Sequence, residues 1–183
     1  DGAAHPGLRA GLANLLTGGV VRITLSSSLP ALTDASTRVD GGTQTSLVGD
    51  SNAGSLGTGG PVGADDVAFA LLAGPEVEVR DGAGLAIGFD LQGASLTLSR
   101  LAMVGFGNTA GSDAHADVRV GATASNARIE SCALGITATS FADPGAALRS
   151  GGDHLRVISA DNGVVTGSLL AYGAGSEIGR AHV

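Results

Sequence analysis

The sequence predicts an all-β chain wound as a coiled solenoid, and three observations carry that expectation. Two alternating apolar pairs separated by two small or polar residues are written three times: Leu96, Leu98, Leu101 and Met103; Ala127, Ile129, Cys132 and Leu134; Gly163, Val165, Ser168 and Leu170. Residues two apart share a face in a strand but lie about 200° apart around a helix. Each copy therefore reads as strand, two-residue corner, strand, with its four positions turned to one interior. The copies recur at intervals of 31 and 36 residues, inside the roughly 20–50 residue range of solenoids and propellers. Finally, 31 glycines without a Gly-X-Y period suit a fold that needs many positive-φ corners and close backbone approaches.

Taken in order, residues 6–16 place Leu8, Leu12, Leu15 and Leu16 at i, i+4, i+7 and i+8, after Pro6 and before Gly18-Gly19. That pattern predicts a short amphipathic helix capping the first coil. Val20–Leu25 alternates as a strand, and residues 37–40 form another, ended by a Gly41-Gly42 turn. Residues 49–66 are rich in Gly, Ser and Asp and read as a long loop leaving the coil. Their Gly57, Gly59 and Gly60 do not make a phosphate loop, since no Lys follows and Pro61-Val62 does not open a helix. Val77 and Val79 resume the coil, and Leu85, Ile87, Phe89 and Leu91 keep strict period two into the first copy at Leu96. A loop at 107–116 precedes a strand at Val118 and Val120, and a loop at 139–152 contains the turn Asp143-Pro144-Gly145. On such a scaffold, function falls to these excursions or to one outer face, because the interior is committed to packing.

Ile129-Glu130-Ser131-Cys132-Ala133-Leu134-Gly135-Ile136 resembles the strand–corner–strand unit of right-handed parallel β-helix repeat proteins, although the corner Asn common there is missing from all three copies. At the front, Gly7-Leu8-Arg9-Ala10, Ile23-Thr24-Leu25, Leu29-Pro30-Ala31-Leu32 and Val39-Asp40-Gly41-Gly42-Thr43-Gln44 follow one another. That order is similar to the opening coils of large bacterial secreted or surface proteins of the same fold. The resemblance implies an all-β right-handed parallel β-helix with a short N-terminal capping helix; its handedness also follows the general preference of parallel crossovers. It further implies an extracellular or cell-surface, adhesin-like protein. A single domain over 1–176 is expected, truncated at both ends, with the cap at 6–16, the Gly-rich loop at 49–66 and the main coils at 67–176. The last seven residues, Glu177 to Val183, back-translate as GAG ATC GGA AGA GCA CAC GTC. They are read as run-through into a sequencing adapter and set aside from the fold.

With 43% hydrophobic residues and a net charge of −7, the chain falls outside the disordered class. It has no apolar run of about 18 residues, so no membrane insertion is expected. All ten basic residues are Arg and they are scattered singly, which argues against a nucleic-acid surface. One Cys allows no internal disulfide, and Cys132 occupies the place taken by Leu101 and Ser168 in the other copies. It reads as an inward ladder residue in preference to a thiol nucleophile.

Three polar groupings carry the candidate chemistry. Asp50, Asn52, Asp65 and Asp66 offer oxygen ligands for Ca²⁺, without the spacing of an EF-hand or a nonapeptide repeat; turn-forming Asx residues are the plainer account. Asp113, His115 and Asp117 alternate and would share a face if extended. Asp153, His154, Arg156 and Asp161 cluster acids, a His and a guanidinium, the groups an inverting glycosidase or a lyase uses. The paired-Asp strand motifs of such enzymes are absent, and aromatic platforms for sugars are few: no Trp, one Tyr and four Phe. The expected function is therefore a structural or adhesion module that presents outer loops to surface glycans or proteins. The alternative is a fragment of a carbohydrate-active β-helix enzyme.

Overall fold

In the computed structural model the described residues are 16–62, 67–68, 70–176 and 178–179. β1 (Leu16–Thr17) turns back through Gly18-Gly19 into β2 (Val20–Leu25), and β3 (Arg38–Asp40) leads into α1 (Gly42–Val48). An excursion holds β4 (Ser55–Leu56), β5 (Pro61–Val62), β6 (Val67–Ala68) and β7 (Leu72–Ala73). The rest of the chain supplies β8 (Val77–Asp81), β9 (Ile87–Leu91), β10 (Thr97–Ser99), β11 (Leu101–Val104), β12 (Ala116–Val120), β13 (Arg128–Glu130), β14 (Ala133–Leu134), β15 (Asp153–Val157), β16 (Val164–Thr166), β17 (Leu169–Leu170) and β18 (Ile178–Gly179). Three larger sheets result, ordered β1-β2-β8-β11-β14-β17, β16-β13-β10-β3 and β18-β15-β12-β9. Their pairings are parallel apart from β1 against β2.

The apolar pattern sets the register. Val39, Leu98, Ile129 and Val165 pair in sequence across one sheet, and Ile23, Val79, Met103, Leu134 and Leu170 across another. Phe89, Val118 and Leu155 do the same in the third. A one-residue slip would turn each of these rows to the opposite face, so burial locks the alignment. Most of these side chains meet in the main core with Leu91, Leu96, Leu101 and Phe106, where each large residue contributes roughly 1.5–3 kcal/mol. Between β10 and β11 the corner residue Arg100 is left-handed at φ 55°, and Ser131 and Gly167 repeat this at 53° and 56°. Arg100 N–H donates to Glu130 O at 3.0 Å and Ser131 N–H to Thr166 O at 2.9 Å, so the corners stack with their backbone satisfied.

The expected all-β right-handed parallel β-helix with its helical cap is corrected by this arrangement. The described strands form separate parallel and mixed sheets that do not close into a solenoid, and their disposition is closer to an α/β-type fold. Physically, the middle of the first sheet is covered on both faces, as parallel sheets of the α/β class are. All four residues of β11 are buried, and a second apolar cluster of Val20, Leu56, Leu72, Ala102, Ala133, Ile136, Ala138 and Leu169 lies on the face away from the main core. Ala102 and Ala133 are small enough to let the covering segments approach. The segment expected as a solvated loop supplies part of that cover: β4 pairs antiparallel with β7, and β5 with β6, so an arm folds back and buries Leu56 and Leu72. Helix was expected over 6–16, which lies outside the described residues except for Leu16, and Leu16 opens a strand. The described helix is α1, where a Gly-Gly turn was expected. Its N-cap is Gly41, and Asp40 just before it accepts from Gly42 N–H at 2.9 Å through its side chain and from Thr43 Oγ1 at 2.9 Å through its carbonyl.

Candidate functional site

Of the residues that suggested catalysis, Asp153 and Arg156 bond to each other, His154 bonds to Asp117, and Asp161 stands apart. In β15, Asp153 is fully buried; its Oδ2 accepts from Arg156 Nη1 at 2.8 Å, and its Oδ1 from Ser176 N–H at 2.9 Å and Gly111 N–H at 3.3 Å. Arg156 also donates through Nε to Asp113 Oδ1 at 2.8 Å. Burial alone would lower the Arg156 pKa, but the two aspartates hold it raised. Arg119, next to Arg156 across the sheet, is clamped through Nε and Nη2 on Asp90 at 2.9 and 2.6 Å. Asp161 is exposed, and its described role is a backbone one, its carbonyl accepting from Asn126 N–H at 2.8 Å.

His154 and Asp117 make a buried pair between adjacent strands. The ring places Nδ1 2.6 Å from Asp117 Oδ2 and Nε2 2.9 Å from the Ala171 carbonyl, and Ser150 Oγ donates to Asp117 Oδ1 at 2.6 Å. Burial raises the Asp117 pKa against the opposing pull of His154, Ser150 and the Phe106 backbone. Ser, His and Asp are all present, yet the serine bonds the carboxylate instead of the imidazole, and all three are inaccessible to solvent. A nucleophilic triad needs the serine on the ring nitrogen and open to substrate; this cluster fastens the loop at 139–152 to the sheet. The alternating trio is split accordingly: Asp117 is inside, Asp113 faces Arg156, and His115 Nδ1 accepts from Asn108 N–H at 3.2 Å.

Of the calcium candidates, Asp65 and Asp66 lie outside the described residues. Asp50 accepts from Asn52 N–H at 3.2 Å, an Asx turn. Asn52 is a strut: its Nδ2 donates to Pro75 O and Ala138 O, both at 2.9 Å. Among the described residues, no group of three or more His, Cys, Asp or Glu is placed to hold a metal ion. Glu76, which sequence reasoning passed over, is the clamp of this region. It is buried and accepts from Ser51 N–H at 2.7 Å, Ser51 Oγ at 3.1 Å and Asn52 N–H at 3.3 Å.

That clamp holds the base of the arm over the corner stack and leaves a cleft of about 370 Å³ between them, within the size range of ligand sites. Its floor is the left-handed corner row Arg100, Ser131 and Gly167; its wall is Asn52, Leu71, Leu72 and Pro75, with Thr45 and Asp50 at one side. A smaller hollow of about 220 Å³ shares Leu71, Leu72 and Gly167 and runs on to Leu169. Arg100 is locked by Asp40, donating Nε to Oδ1 at 2.8 Å and Nη2 to Oδ2, and these bonds hold Asp40 well below the usual carboxylate range. None of Asp153, His154, Arg156 or Asp161 lines either space. The sequence signal for this cleft is faint: the corner residues are the polar pairs between apolar pairs, and nothing local announces that an arm returns over them. In comparisons with family models, curated proteins and solved structures, the chain finds no match.

Proposed function

We propose that this chain is a structural and adhesion module of a bacterial surface or secreted protein, which holds a surface cleft on a stacked sheet scaffold. The observation that supports the reading is the division of labour among polar groups. Asp153, His154 and Arg156 are engaged with backbone N–H groups, Asp117 and Asp113, whereas the cleft under the arm leaves the Thr45 and Ser131 hydroxyls, Asn52 Oδ1 and Arg100 Nη1 open. Parallel sheets covered on two sides give such a cleft a stiff base, and binding sites are better held on rigid elements than on free loops.

The test is retention of beads coated with the chain on surfaces carrying neutral glycans, acidic glycans or proteins, run beside a reducing-end assay on the same glycans. Retention without release of reducing ends is the expected result. Turnover of any glycan would overturn the reading in favour of a carbohydrate-active enzyme, and absence of retention on every surface would remove adhesion.

A further inference from the structure

We infer that the cleft beneath the arm binds a linear neutral glycan lying along the Arg100–Ser131–Gly167 row; this rests on the adhesion reading above. The shape comes first. The corner residues belong to successive strands of one stack, spaced about 4.8 Å apart, so the floor is a short periodic track. The smaller hollow adjoins the cleft at Gly167, shares Leu71 and Leu72 with it, and widens the end of the track over Ser168 and Leu169. A track of this form fits an extended polymer better than a compact molecule.

The chemistry of the lining selects the polymer. Asn52 Nδ2 is committed to two carbonyls, which leaves Asn52 Oδ1 as an acceptor. Arg100 uses Nε and Nη2 on Asp40, so Nη1 keeps its donors. The hydroxyls of Thr45 and Ser131 have no hydrogen-bond partner among the described residues and serve as either donor or acceptor. Sugar hydroxyls are likewise both, and Leu71, its side about half exposed at 52%, offers an apolar surface for ring C–H groups.

The competing classes fit less well. A polyanion meets Asp50, a net charge of −7 and a guanidinium already neutralised by Asp40. An extended peptide seeks an open ladder, yet the N–H groups of Arg100 and Ser131 are spent on the next strand. A wholly apolar ligand would leave the polar lining groups dry.

The experiment is calorimetric titration of the chain with neutral β-1,4-linked glucose and N-acetylglucosamine hexasaccharides and with polygalacturonate as the acidic contrast, followed by amide-shift mapping. Ser131→Asn fills the track while keeping a residue type that tolerates left-handed backbone, and Leu71→Ser removes the apolar wall at an exposed site. Binding of a neutral hexasaccharide is expected, with shifts centred on Thr45, Leu71 and Ser131. Each variant should weaken it about tenfold or more, equivalent to about 1.4 kcal/mol, with an unchanged melting temperature. Arg149→Ala, outside the cleft, should leave it unchanged. Retention on acidic glycans or proteins with no neutral binding would overturn the ligand class while sparing adhesion. Neutral binding that ignores both variants would overturn the site, and no binding to any surface would sink both proposals.

Discussion

Glu78 gives the sharpest test of the two-sided sheet. It sits in β8 on the face away from the main core, in register with Arg22 and Ala102, and its side chain is wholly buried. Its Oε1 accepts from Arg22 Nε at 2.9 Å and from Arg80 Nε, and its Oε2 accepts from Ala138 N–H at 2.8 Å. Burial would raise its pKa, but the Ala138, Arg80 and Arg22 bonds outweigh that and hold the carboxyl below its ordinary value. Glu78→Gln keeps an acceptor for Ala138 and loses two charge-assisted bonds to arginines that are partly exposed. After discounting for solvent screening, that costs about 1–2 kcal/mol. Glu78→Ala also strands the Ala138 N–H and leaves two guanidinium groups over an empty site, for about 3–5 kcal/mol. With a urea slope of about 2 kcal/mol/M, the midpoint should fall by about 0.5–1 M for Gln and about 1.5–2.5 M for Ala.

The pH dependence of the same residue has a fixed sign. A carboxyl whose folded pKa is depressed contributes stability above its unfolded value, and that contribution is lost as pH falls through the folded one. The parent chain should therefore lose stability on acidification below about pH 4.5, and Glu78→Gln should lack that share of the slope. Equal midpoints for the parent and both variants would refute the reasoning, because the carboxylate would then not be the buried link between sheet and covering loop.

Cys132 is buried between Leu101 and Ser168 levels, with its thiol pushed up to about 11 by desolvation; it should stay unreactive to a disulfide reagent at pH 8 until the chain is unfolded. Cys132→Ser should cost no more than about 1 kcal/mol in urea unfolding, since Leu98 O and Glu130 O lie near the sulfur to accept a hydroxyl. Leu134→Ala, in the centre of the core, should cost about 2–5 kcal/mol. Two glycines of similar φ separate crowding from conformation. An alanine Cβ at Gly135, φ 80°, would fall 2.0 Å from His154 Cε1 and 2.3 Å from Ala171 O, whereas at Gly145, φ 84°, it meets open space. Gly145→Ala should therefore cost about 1 kcal/mol and Gly135→Ala at least about 3, read by thermal melting.

Local structure was the legible part of this chain. The spacing Leu98, Leu101, Met103 names two strands and a corner, and the structure has β10 and β11 with Arg100 left-handed between them. What spacing does not carry is what covers the other side of a strand. The clue was present: Leu101-Ala102-Met103-Val104 is apolar at every position, the mark of a strand buried on both faces. The alternate positions alone give Ala102 and Ala133 no role. Leu56, Leu71 and Leu72 stand in a Gly-rich stretch without period, so their return onto the sheet has no local signature. Gly41-Gly42 after the strand ending at Asp40 has the composition of a turn, although an Asp that can accept from the N–H two residues on also precedes helices.

The same limit explains the candidate site. Asp113, Asp117, Asp153, His154 and Arg156 are all visible as polar residues in apolar surroundings, but the contacts that decide their role span 37 and 43 residues. Read singly, each is a candidate acid, base or ligand. Read in contact, the acids satisfy the bases, and the cost of burying either alone explains why they are paired. A buried charge network of this kind constrains geometry more than it adds free energy: it fixes the loops at 107–116 and 139–152 against β12 and β15, as Glu78 and Glu76 fix the covering loop and the arm base against the first sheet. Groups left outside such networks then become the informative ones. In the described residues, the cleft between the arm and the corner row is where the hydroxyls of Thr45 and Ser131 meet the remaining atoms of Asn52 and Arg100, and that is why the proposed binding site is sought there and not among the buried acids.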